Sequence, residues 1–447
     1  MNIGLALLGS VTVLLLCTIT SVYIAYPLLL ILLLFIGICL HKGFSIWALW
    51  QMCCRGSQKA LPVFTILTLI GAVTATWMAA GTVPAIVYYG IQLIQPQWFI
   101  LAAFLLTSLV SLLIGTSFGA ASTIGLAMMI MAKGSSVNPD LIAGAVIAGA
   151  YLGEQRSPMS SSAHLVAAIT QTDLYGNIKR MVQTGLWPLI VSCGIYLGLS
   201  LLYPMQARDQ SLSIALQQLF ELNAVVLLPA GVIIVLALLR VEAKYSMLLS
   251  IVAAIGLAVF YQQDSLEQVL QFAIFGFRLE SDSPIQTILR GGGILPMLKV
   301  CGTVLISTSL AGILAGTGLL KTSFKRLVRA DYLEQSPSTA QRFSNTALIG
   351  ALAAAFGCTQ TIGILLTEDL VQQNYKQSEQ LALDLENTVV VLSPLIPWNI
   401  AGLVPATVLM TDWQFIPYAC YLYLIPVLVW LQLRTLAQKP KGYCSGK

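Results

Sequence analysis

Apolar runs of membrane-crossing length alternate along this chain with short polar intervals. Runs near 3–21, 26–40, 182–203, 221–239, 245–262, 291–320 and 413–433 approach the roughly 20 residues with which a helix crosses a hydrocarbon core of about 30 Å. Stretches such as VTVLLLC and LLLILLLFIGICL lack the alternation of a transmembrane β-strand. The pattern predicts an all-α polytopic membrane protein of about 10 transmembrane helices. The first run, MNIGLALLGSVTVLLLC, has no basic segment and no small-residue cleavage site. It reads as a retained membrane helix rather than a signal peptide.

Polar residues set orientation, because Lys and Arg collect on the cytoplasmic side. Basic intervals occur at 42–59, 179–180, 240–244, 321–342 and from Arg434 onward, whereas 263–290 is richer in acids. Alternating spans then put both termini in the cytoplasm. The same loops account for the net charge of +5, so no nucleic-acid partner is implied.

One polar stretch interrupts the apolar pattern. GEQRSPMSSSAHL (153–165) follows an apolar helix and packs charges, a proline and serines together. A second interruption is SPLIPWN (393–399), with Pro394 and Pro397. Proline after serine breaks a helix, and broken backbone at membrane depth survives only where protein buries it or water reaches it. Two re-entrant hairpins, 139–178 and 376–410, are therefore expected, with these stretches at their tips.

An internal repeat supports the pairing. FGAASTIG (118–125) and FGCTQTIG (356–363) agree at five of eight positions, and Ser157-Pro158 and Ser393-Pro394 follow at nearly the same offset. The charge map gives the copies opposite orientations. An inverted-topology repeat places a binding site near the bilayer midplane, as in secondary transporters. The chain then divides into an N-terminal helical pair and loop (1–60), a first repeat (61–203), connecting helices (204–290), a second repeat (291–433) and a tail (434–447).

Composition changes the picture little. Hydrophobic residues make up 57% and charged residues 9%, and mean hydropathy is +0.84, against about 25% charged in soluble domains. The nine cysteines are scattered, mostly in apolar runs, and read as small hydrophobes rather than metal ligands. Neither a phosphate loop nor a nucleophile–base set is present, so an ion gradient must supply the energy. No cofactor, resident metal or enzyme activity is expected.

Charges inside a membrane are costly and mark function. Glu154 is the leading carrier: a proton or a cation can neutralise it, and competition between the two yields exchange. Arg156 either pairs with Glu154 or counters an anionic solute. Ser157, Ser160 and Ser161 offer the hydroxyl oxygens that hard cations favour, or else cap helices. His164 is a candidate for proton coupling or for a neutral hydrogen bond. Glu386 is a second protonation site or merely a boundary residue, and Ser393 and Asn399 mirror the first tip, with Asn399 a candidate to coordinate the ion. Trp398 reads as packing. Thr123 and Thr361, at equivalent repeat positions, are candidate ion ligands or else bond their own helix backbone. Lys299, inside an apolar run, is expected to pair with a carboxylate. Ala145, Gly149 and Gly153, four residues apart, permit close helix contact.

TWMAAGTVPAIVYYG (76–90), GAYLGEQRSPMSSSAHL (149–165), TDLYGNIKRM (172–181) and LENTVVVLSPLIPWNIAG (385–402) together resemble the NhaC-type Na+/H+ antiporter family, over about Thr68 to Thr411. The resemblance implies antiport of Na+ or Li+ against H+ across the cytoplasmic membrane. Some members of the family exchange small carboxylates such as malate and lactate, which makes a coupled organic-anion or amino-acid exchanger the alternative. Where the family usually has Gly-Asp, this chain has Gly153-Glu154. Where the family continues Ser-Asp-Thr-Thr-Asn, it has Ser160 to His164, and an acidic pair becomes Glu386-Asn387. Transporters of this design frequently pair, so a homodimer in the lipid bilayer is one expectation.

Overall fold

The computed structural model describes residues 3–438 other than 21, 59, 94, 134, 136, 206–215, 240, 279–290 and 320–337. Arg240, most of the basic interval 321–342, the acidic stretch 279–290 and the tail from 439 lie outside the described residues. The described chain is helical, and a β-bridge joins Phe277 to Gly291.

The helices are α1 (Ile3–Ile19), α2 (Ala25–His41), α3 (Ile46–Gln58), α4 (Leu61–Ala79), α5 (Thr82–Leu93), α6 (Phe99–Ile114) and α7 (Ser117–Lys133). Then come α8 (Pro139–Arg156), α9 (Ser161–Thr170), α10 (Leu174–Thr184), α11 (Leu186–Leu202), α12 (Leu228–Leu238), α13 (Ala243–Phe260) and α14 (Leu266–Phe275). The rest are α15 (Ile294–Gly316), α16 (Thr339–Gly357), α17 (Gln360–Val371), α18 (Ser378–Leu385), α19 (Ile400–Val408) and α20 (Cys420–Gln438). By length and composition, α4, α15 and the segment Pro96–Ile114 can each cross a membrane unaided.

Helix breaks fall where the sequence supplies breakers. Between α8 and α9, Ser157 and Ser160 are extended, and Ser160 caps α9 by accepting the Ala163 N–H. Before α19, Asn399 plays that part toward Ala401. The segments Ser378–Leu395 and Ile400–Val408 are bent by 52°. Two π-turns, Ala121–Gly125 in α7 and Glu386–Val390 after α18, sit next to the breaks, where such turns commonly serve function.

Close packing follows the small residues. A side chain at Gly149 would strike the Phe104 carbonyl, and one at Gly153 the Ser108 carbonyl and the Leu112 N–H, so α8 lies directly on α6. The expected glycine spacing therefore meets a real contact. Gly56 of α3 and Gly312 of α15 abut in the same way, and the Ser57 and Ser309 hydroxyls bond at 2.9 Å beside them. Gly291, Gly292 and Gly293, at φ +155°, +71° and +89°, form a fixed corner, and Gly293 donates to the Gly71 carbonyl at 2.7 Å.

Lys299 corrects an expectation. It is exposed and forms no ion pair among the described residues. It lies in the second turn of α15, from which its long stem can carry the ammonium toward the interface.

Candidate functional site

Four helices begin around one cavity of about 500 Å³. Its wall includes Ser117 at the start of α7, Ser161 of α9, Gln360 of α17 and Ile400 of α19, together with Glu154 at the end of α8. Each helix is capped by a side chain that accepts a first-turn N–H: Thr116, Ser160, Thr359 and Asn399. Helix N-termini carry partial positive charge, and here they surround the one acid on the wall.

Glu154 is 7% exposed. Its Oε2 accepts the Ser117 N–H at 2.8 Å and its Oε1 accepts the Ser162 hydroxyl at 3.1 Å. The carboxylate thus ties the end of α8 to the starts of α7 and α9. Arg156 does not pair with it: no ion pair involves either residue among the described ones. The Arg156 guanidinium is buried against Gly185 and lies 5.6 Å from the centre of the Tyr421 ring, and its Nε and Nη2 have no hydrogen-bond partner there. Isolated buried charges are costly, and neither Glu154 nor Arg156 has an ion-pair partner among the described residues.

A polar network continues behind Glu154. Gln155 Nε2 donates to the Glu386 backbone carbonyl at 2.9 Å and to Asn387 Oδ1 at 3.2 Å, while the Tyr421 hydroxyl donates to Gln155 Oε1 at 3.3 Å. Asn387 Nδ2 reaches Thr184 Oγ1 at 3.4 Å. Glu386 is 1% exposed and its Oε2 has no partner among the described residues.

The remaining candidates separate. Ser161 and Thr361 face the cavity. Ser157 and Ser160 are buried and accept backbone N–H groups from Met159 and Ala163. His164 is exposed, with Nδ1 donating to the Ser160 carbonyl at 2.8 Å. Ser393 is buried and donates within its own turn to Val389 at 2.6 Å. Asn399 uses both ends of its amide, toward Ala401 and the Ala354 carbonyl. Trp398 packs as expected and donates to the Ala355 carbonyl at 2.7 Å. Thr123 bonds its own helix at Gly119 and lines a different pocket. The repeat alignment therefore pairs Thr123 with Thr361, whereas the positions that match as caps are Thr116 and Thr359.

Sequence reasoning missed Thr116, Ser117, Thr359 and Gln155. The two threonines had a usable signal, a capping residue directly after a glycine or cysteine at a helix break. Ser117 contributes through its backbone, which no side-chain pattern announces. A third buried acid was missed as well: Asp384 accepts from Tyr375 at 2.8 Å and from Gln380 at 2.7 Å, with Arg342 4.6 Å from the centre of the Tyr375 ring.

Comparison with known proteins gives the site a context. The profile described as the Na+/H+ antiporter family matches residues 149–433. The chain is 29% identical to the Na+/H+ antiporter NhaC of Alkalihalophilus pseudofirmus, over 82% of this chain and 80% of that one. It is 29% identical to a Haemophilus influenzae protein named as an uncharacterized Na+/H+ antiporter, over 88% and 87%. It is 26% identical to the malate-2H+/Na+-lactate antiporter of Bacillus subtilis, over 85% and 82%.

Proposed function

The chain belongs to the Na+/H+ antiporter family, and on that premise we propose that it exchanges Na+ (or Li+) for H+ with Glu154 as the shared carrier. One observation carries this: the Glu154 carboxylate is buried on the wall of the cavity of about 500 Å³ with no cationic partner among the described residues. A carboxylate so placed is neutralised by a proton or by a cation. The two compete for the same oxygens, so binding of one releases the other. Hard cations favour oxygen ligands, and Ser161 and Thr361 on the same wall supply hydroxyls. Because Ser117 and Ser162 hold the same carboxylate, a change of occupant alters the forces on the starts of α7 and α9. That is the link from binding to movement.

The membrane arrangement supports alternating access. In place of hairpins at 139–178 and 376–410, we take α8–α9 and α18–α19 as discontinuous spans, the latter bent by 52°, and α6–α7 and α16–α17 as the re-entrant pairs. Three observations favour this. Helix α9 packs on α17 and α18; α16 packs closely on α17; and Thr411 after α19 donates to Asp140 near the start of α8 at 2.6 Å. Helices α1, α2, α4, α8–α9, α11, α12, α13, α15, α18–α19 and α20 then supply about ten crossings. Lys42, Lys179, Lys244 and Arg434 fall on the cytoplasmic side with both termini. The two discontinuous spans run in opposite directions, as an inverted repeat requires.

A second reading is coupled exchange of a small carboxylate. The four helix N-termini on the cavity wall favour an anion, and the room is sufficient for one. Proton flux in reconstituted vesicles, screened across Na+, Li+, K+ and small carboxylates, separates the two. Na+-evoked proton movement without carboxylate supports simple cation exchange. Movement that requires malate or lactate supports the second reading.

A further inference from the structure

A second cavity of about 350 Å³, without Glu154 on its wall, is bounded by α4, α5, α6, α7 and the 227–234 segment. Trp77, Leu113, Thr123, Ile124, Gly231 and Ile234 are among its walls. The two polar side chains among these six are already engaged. Trp77 Nε1 donates to the Ser250 hydroxyl at 2.8 Å, and Thr123 Oγ1 donates to the Gly119 carbonyl at 2.8 Å. Water in a cavity needs two to four polar partners, and these walls provide none to spare.

The rim indicates what fills the cavity. Leu113 and Ile234 are 36% and 47% exposed, and the neighbouring Leu109 and Val235 are 55% and 54% exposed. On a membrane protein such a surface meets hydrocarbon, so the cavity continues the lipid-facing surface inward. At Gly231 an added Cβ would meet nothing within 4 Å, so the floor there is open space.

We propose that this cavity is an acyl-chain site, occupied by one chain of a bilayer phospholipid lodged between α7 and the α4–α12 scaffold. The chain lies against Thr123 and Ile124 in the π-turn of α7, the helix whose first residue holds Glu154. Movement of α7 then has to displace or carry the lipid chain. The site depends on the membrane placement of the chain and not on the chemistry of Glu154.

The test uses the intact protein in phosphatidylcholine vesicles with or without bromine at mid-acyl positions. Trp77 is 2% exposed, so bromine comes into contact with it only if a chain enters the cavity, and the Gly231→Leu comparison separates that contact from quenching by lipid outside. Its emission is isolated as the difference between the parent and Trp77→Phe. In brominated bilayers the Trp77 component is expected to be lost, and Gly231→Leu, which fills the open space, is expected to restore it. Equal Trp77 emission in plain and brominated vesicles would overturn the proposal, as would quenching that persists in a monodisperse Gly231→Leu protein. The parent measurement decides by itself should that variant fail to fold.

Discussion

The carboxylate of Glu154 and the backbone N–H of Ser117 meet at 2.8 Å, joining the last turn of one helix to the first turn of another. Only proline at position 117 would delete this backbone donor, so the carboxylate is the half of the contact that conservative substitution can probe.

Glu154→Gln keeps the shape and removes the charge. Na+-evoked proton movement in everted vesicles is expected to fall by about 10²-fold or more, with normal insertion. Glu154→Asp keeps the charge but shortens the reach to Ser117, so exchange should persist with weakened Na+ affinity. Parent-level exchange in Glu154→Gln would remove this residue from the mechanism.

Gly185 is the seat of Arg156: a methyl group there would overlap the guanidinium. Gly185→Ala should cost about 1–3 kcal/mol through overpacking, read as a lower thermal midpoint in detergent. Adding Arg156→Gln should recover much of that loss. An unchanged midpoint in Gly185→Ala would show that the guanidinium sits elsewhere.

Cavity access separates two serines. With the nine native cysteines replaced, Ser161→Cys should react with a water-soluble thiol reagent and be slowed by Na+. Ser393→Cys should react far more slowly, because Ser393 is fully buried. Equal labelling of both would contradict the assignment of the wall.

Asn399 distinguishes a cap from a ligand. Asn399→Ala removes the cap on α19 and the bond to the Ala354 carbonyl; loss of the cap alone costs about 0.5–2 kcal/mol. The thermal midpoint should drop while the Na+ concentration for half-maximal exchange stays put. A large rise in that concentration at unchanged stability would make Asn399 a cation ligand instead.

What the sequence by itself determined was the solvent and the chemistry. Apolar runs of spanning length specify helices in lipid, because no other open backbone satisfies its hydrogen bonds there. Glu154, set among serines beside a proline break, announced a site, since a membrane rarely tolerates an unneeded charge. Gly149 and Gly153 announced a close helix contact for a similar reason: only small residues let backbones touch. Tertiary structure alone decided which groups meet. Glu154 turned from its sequence neighbour Arg156 to a backbone N–H on α7, and Lys299 is exposed with no ion-pair partner among the described residues. Thr123 parted from Thr361 because the helix break falls before Phe118 in one copy and after Phe356 in the other. Partners of this kind come from elements far apart in the chain, and the packing of those elements fixes distances that local pattern leaves open.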